Sequence, residues 1–142
     1  MIKYIVSPFL FLAPFTLLAQ ENIDSATKRK CDGGKYFVKV EVMPSLKDGN
    51  KVFEDSLTSY LREKRAFKNF ANIELEFIVT KDSDLDAIKI IGDDENKETL
   101  KESFLHFSYM WKPATQNHYV VCSYVKLKIQ IENNKLRTTV YQ

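Results

Sequence analysis

From Val121 to Ile131 every odd position except Ser123 is apolar, and the even ones are mostly polar. A period of two sets one face of a strand on a core and the other in water, and it predicts a long strand over Val120–Ile131. The same alternation runs through Tyr36-Phe37-Val38-Lys39-Val40-Glu41-Val42, a short strand ended by Pro44. It returns in Ile73, Leu75, Phe77 and Val79, with Leu85 to Ile91 as the partner strand of a hairpin across the Lys81-Asp82-Ser83-Asp84 turn. Two stretches switch to helical spacing. Val52, Phe53, Leu57, Tyr60 and Leu61 form one stripe between Lys51 and about Lys64, behind a Lys47-Asp48-Gly49-Asn50 turn that offers an N-cap. Leu100, Phe104, Phe107 and Met110 or Trp111 form the second stripe, with Asp93-Asp94-Glu95 at its start, where the macrodipole favours negative charge, and Pro113 ending it. Glu132-Asn133-Asn134-Lys135 turns the chain back into a weak final strand, Leu136 to Tyr141.

Strand, helix, hairpin, helix, strand, each with one apolar face, predicts an α+β domain. Its economical form is a two-layer sandwich, a small antiparallel sheet of three to four strands with two helices on one face. The domain is expected over 35–142, behind a flexible lead over 21–34 that ends in Asp32-Gly33-Gly34.

Composition adds bounds. The 142 residues carry a net charge of +2 and are 44% hydrophobic, which suits one globular domain and argues against nucleic acid as a partner. Residues 1–20 form a basic start, an apolar run and a small-residue end, the pattern of a secretory signal peptide cut near Ala19 or Gln20. The competing reading is an inner-membrane anchor over 4–19. That run is shorter than the roughly 20 residues of a spanning helix and holds Pro8 and Pro14. Export would place Cys31 and Cys122, the two cysteines, in an oxidising compartment. One intramolecular bridge and two unpaired thiols both remain open at this level.

Candidate chemistry is sparse. His106 follows Glu102 by one helical turn, but His118 is the other histidine and no third metal ligand accompanies them. Asp82, Asp84, Asp93 and Asp94 read as turn and cap residues, since no EF-hand pattern surrounds them. Lys28-Arg29-Lys30 reads as a solvated run. No catalytic motif stands out, so the expectation is a non-enzymatic protein without cofactor or metal.

Trp111-Lys112-Pro113-Ala114-Thr115-Gln116-Asn117 resembles the Trp-Lys-Pro-Gly-x-Gln-Asn-Gly stretch of the TonB C-terminal domain family, especially its short exported members. Met43-Pro44 with Asp48-Gly49 is similar to the family's Met-Pro-x-x-x-Gly-Gly opening, and Lys81-Asp82 to its Lys-Asp-Gly hairpin turn. The likeness covers roughly 36–132 and lies in the order and spacing of the motifs. Departures are Glu63-Lys64 near the family's Tyr-Pro, Ala71-Asn72 near a glycine before the hairpin, Ser83 for the turn glycine and His118 for the glycine after Gln-Asn. The resemblance assigns Pro44, Gly49, Trp111, Pro113, Gln116 and Asn117 to the fold.

It also implies a function. The family's last strand receives an extended segment of an outer-membrane transporter by strand addition, in which backbone hydrogen bonds give affinity and alternate side chains give specificity. Here that strand would be an edge whose water-facing side is lined by Val120, Cys122, Tyr124, Lys126 and Lys128. The implied partners are peptide segments of outer-membrane transporters or other envelope proteins, in the periplasm or envelope. A structural envelope domain that pairs with its own copy through the same edge is the alternative. If Leu136–Tyr141 folds back along the strand, that edge is covered, or open only on displacement.

Overall fold

The computed structural model describes residues 31–67, 72–92 and 95–141. The signal segment, Lys28-Arg29-Lys30 and Asp93-Asp94 lie outside the described residues. In chain order the elements are β1 (Ser45–Leu46), α1 (Gly49–Glu63), β2 (Ile73–Val79), β3 (Leu85–Ile91), α2 (Lys97–His106), a 3-10 turn (Ser108–Met110), β4 (Trp111–Lys112), β5 (Ala114–Gln116), β6 (Tyr119–Val121), β7 (Ser123–Glu132) and β8 (Lys135–Tyr141).

The main sheet has four antiparallel strands in the order β3-β2-β7-β8. One face carries Ile73, Leu75, Phe77 and Val79 of β2 with Val125, Leu127 and Ile129 of β7, all buried. Both helices pack there, α1 through Phe53, Leu57 and Leu61, and α2 through Leu100 and Phe104, in one core cluster. The α+β sandwich with two helices on one sheet face is therefore the architecture. On the other face Lys126 stands 3.5 Å from Glu76 and 4.0 Å from Glu74, a half-solvated ion cluster.

Trp111 belongs to that core. It is fully buried, with its ring edge-on to Phe53 and Phe77 at centroid separations of 6.0 and 5.2 Å. Such aromatic pairs add roughly 0.5–1.5 kcal/mol each beyond area burial.

Four expectations need correction. The second helix stops at His106, and the chain passes through one 3-10 turn before Trp111 turns extended at ψ 140°. Pro113 ends nothing helical; it holds Lys112 in the extended region, which a following proline favours. Asp48 makes no side-chain cap bond. Gly49 matters instead, because its φ of +82° is backbone that L side chains rarely adopt. Tyr36–Val42 is not a strand, and its backbone joins neighbouring segments through isolated bridges at Phe37 and Val42. Alternation supplied the side chains for a strand, but no neighbouring ladder runs beside it. The long strand breaks at Cys122 into β6 and β7.

The motif stretches pair with each other. Leu46 faces Trp111, Ser45 faces Lys112 and Val42 faces Thr115, all antiparallel. The same register sets Pro44 opposite Pro113. Neither proline can donate to a ladder, so one pairing between 42–46 and 111–115 appears as two short pieces. β5 continues into a hairpin with β6, giving a second, smaller sheet of three extended segments. Asn117 and His118 at its turn have φ of +50° and +67°, the paired positive values that a two-residue I′ turn requires. Asn133 and Asn134 repeat this between β7 and β8. His118 and Ser83, where the resemblance has glycine, both carry positive φ.

Cys31 and Cys122 are joined by a disulfide with a Cα–Cα separation of 5.7 Å. Both are buried with Ile78 against the sheet face opposite the helices. Beside the bond Lys81 pairs with Asp32, and the Tyr36 and Tyr124 rings lie 6.3 Å apart.

Candidate strand-addition edges

An antiparallel sheet offers unpaired N–H and C=O groups only at its edges, so the location of the edges decides where a partner strand could add. β7 is not one of them. β2 pairs with it from Ser123 to Ile129 on one side. On the other, β8 pairs with it from Lys126 to Glu132. The remaining end is taken by Phe37, whose N–H donates to the Cys122 carbonyl at 2.9 Å and whose carbonyl accepts from Tyr124 N–H at 2.9 Å.

The expected edge site is thus dispersed. Tyr124, Lys126 and Lys128 lie on an interior strand, and Cys122 is in the disulfide. Val120 alone lies on an edge strand, β6. Alternation marks the outward face of β7, although Cys122, expected on the water-facing side, is buried. The pattern carries no information about which strand lies alongside, and β8 supplies that neighbour.

Burial first, then a hydrogen bond to Glu76 and the nearby carboxylates, pushes the Tyr124 phenol well above its usual range. Tyr141, across the same face, is raised by the same kinds of cause, with Glu74 as its partner. These carboxylates and phenols link β2, β7 and β8 across that face of the sheet.

The two edges of the main sheet are blunted. At β8 the Glu54 carboxylate accepts from Thr138 N–H at 2.7 Å and from Thr138 Oγ1 at 3.0 Å, while Asn50 donates to the Thr138 carbonyl at 3.4 Å. Glu54 is only 6% exposed, and Arg137 lies 3.6 Å from its other oxygen. Sequence reasoning missed Glu54. The available signal is its spacing, three and seven residues before Leu57 and Leu61, which places it on the buried stripe. At β3 the ladder shifts register between Glu76 and Ile78, Ala87 adopts φ +51°, and its N–H is taken by Asp86 Oδ1 at 2.7 Å. A bulge of this kind twists an edge away from further pairing.

β6 has no such protection. Its partner is β5 on one side, and no strand among the described residues pairs with the other. Five of the large exposed apolar side chains gather on this small sheet and the segment leading to it: Phe37 (44% exposed), Val38 (56%), Val42 (58%), Tyr119 (76%) and Val120 (47%). Val42, Thr115 and Val120 are successive cross-strand partners, so their side chains form one row on one face. Polar bonds fix the frame around that row. Glu41 accepts from Asn117 N–H at 3.0 Å, and its own N–H donates to Gln116 Oε1 at 3.0 Å. Gln116 and Asn117 thus fasten the β5–β6 turn to the segment before β1.

His106, singled out with Glu102 as a candidate ligand pair, has a packing role. The His106 ring stacks on Tyr60 at 5.4 Å and meets Phe107 edge-on at 4.8 Å. Among the described residues no group of three or more His, Cys, Asp or Glu could hold a metal ion, and no helix is long and apolar enough to cross a membrane.

No protein-family model, curated protein or solved structure matches this chain. The likeness to the TonB C-terminal domain therefore rests on its motifs.

Proposed function

We propose that this chain is a non-enzymatic interaction module of the cell envelope that takes up an extended segment of a partner protein by strand addition at β6. The observation that carries the proposal is the unprotected β6 edge beside the Val42–Thr115–Val120 row, in a domain whose main sheet has both edges blunted. Strand addition draws affinity from backbone groups and selectivity from side chains such as these. Following the motif resemblance, the partner is a peptide segment of an outer-membrane transport protein, met in the periplasm. The test is amide NMR on the full disulfide-bonded chain, titrated with synthetic peptides from the N-terminal segments of such transporters. The expected result is saturable shifts at Tyr119–Val121, abolished by Val120→Asp. Shifts confined to β8 or β3, or none at all, would sink the proposal.

The same exposed row favours a second reading, a structural envelope domain that pairs with its own copy through β6. Sedimentation at increasing concentration separates the two readings. Dimerisation that Val120→Asp removes, without any peptide response, would select the second.

A further inference from the structure

The cleft between α1 and the β7–β8 turn uses none of the groups described above for partner binding. A cavity of about 450 Å³ there is lined by Lys51, Glu54, Asp55, Arg62, Lys135 and Arg137. A second, of about 500 Å³, is lined by Arg62, Arg65, Phe67 and Asn134. They share Arg62 and Asn134 and so adjoin. Each falls within the roughly 300–1,000 Å³ of small-molecule clefts.

The charges in this cleft do not cancel. Glu54 is committed to Thr138 and Arg137, and Asp55 to Lys51 at 2.6 Å. No carboxylate among the described residues lies within ion-pair reach of Arg62, Arg65 or Lys135. The helix macrodipole accounts for Arg62 and Arg65 at the end of α1. It does not account for Lys135, which a different element brings to the same cavity as Arg62. Arg62 is also held in place: its guanidinium lies 4.8 Å from the centroid of the Phe67 ring, and Nη2 donates to the Asn134 carbonyl at 3.4 Å. A guanidinium fixed on an aromatic face presents its remaining N–H fork to planar or tetrahedral oxyanions.

We infer that this cleft binds a phosphate monoester, with Arg62 and Lys135 on the phosphoryl oxygens and the adjoining cavity, lined by Arg65 and Phe67, holding the esterified group. That chemistry comes either from a soluble sugar phosphate or from a phosphomonoester lipid headgroup. Titrating the full disulfide-bonded chain with glucose 6-phosphate, and separately with vesicles of phosphatidic acid in phosphatidylcholine, distinguishes the two. The expected result is saturable binding in one arm, seen as shifts of Arg62 and Lys135 signals. Arg62→Ala should weaken it about tenfold or more, and Arg62→Lys, which keeps the charge and loses the fork, should restore only part. Binding in neither arm, or binding indifferent to Arg62→Ala, overturns the inference. Inorganic phosphate binding as tightly as the ester overturns the ester assignment, since the cavities would then contribute nothing.

Discussion

At β8 the main sheet ends against a buried carboxylate that occupies the Thr138 N–H, while the smaller sheet ends at β6 with Tyr119 and Val120 in water. The first arrangement spends a buried acid on closing an edge. The second leaves apolar side chains exposed where no neighbouring strand covers them. Long, regular edges invite unwanted pairing and are commonly protected. A three-residue edge is too short to recruit strands indiscriminately, so it can stay open for a partner that also satisfies its side chains. Breaking each sheet should therefore have different consequences: loss of stability in one, loss of recognition in the other.

The largest effects are expected where the two sheets meet. Trp111 is on a strand of the small sheet, yet its ring packs in the core of the large one between Phe53 and Phe77. Trp111→Ala should cost about 3–5 kcal/mol, read from the shift of a urea or guanidinium unfolding curve. A loss under 1 kcal/mol would show that the small sheet is stable independently of that core. Next comes the disulfide, which closes a sequence separation of 91 residues. Replacing Cys31 and Cys122 by serine should cost about 4 kcal/mol in the chain-entropy account. It should also loosen Phe37 from β7, seen as faster amide exchange at Phe37 and Tyr124 with β2 and β3 unchanged.

Glu54 tests the edge argument directly. Glu54→Ala leaves the buried Thr138 N–H without its acceptor and Arg137 without its partner, a loss of about 1–3 kcal/mol. Aggregation should rise as the β8 edge opens. Stability lost without any new association would mean that the carboxylate supports α1 rather than guarding the strand. In contrast Val120→Asp touches neither the core nor a buried polar group. Its effect on stability should stay within about 0.5 kcal/mol, while peptide binding at β6 disappears.

The two regions also differ in how far their sequences disclose them. Phe53, Leu57 and Leu61, and the hairpin from Ile73 to Ile91, repeat at the period of their elements and pack as that period requires. Tyr36–Val42 alternates equally well but finds no continuous ladder, because strand formation depends on a neighbour that local sequence does not specify. The Pro44–Pro113 opposition is legible only once the register is known. The candidate site suffered from the same gap. The outward face of β7 is legible in its alternation, yet β8 and Phe37 cover the edge, and Val120 lies on an edge strand because the chain breaks at Cys122. Glu54 is hidden because an acid on a helical stripe looks like surface until the strand beside it is known.

The smallest effect concerns pH and the charged face of the main sheet. Tyr124 has a phenol raised by burial and by Glu76, and Tyr141 is raised likewise with Glu74 as its partner. For a raised phenol the folded state holds its proton after the unfolded state has released it. Stability should then be unaffected by these groups below about pH 10 and fall as the pH climbs towards the folded-state values. Ultraviolet titration should show a late-ionising tyrosine that Tyr124→Phe removes, and the same substitution should flatten the alkaline decline. The Val42–Thr115–Val120 row carries no ionisable side chain, so peptide binding there should stay level with pH until the main sheet itself begins to unfold. Binding that falls earlier than stability would place a titrating group at the interface and make the two sheets less separable than their edges suggest.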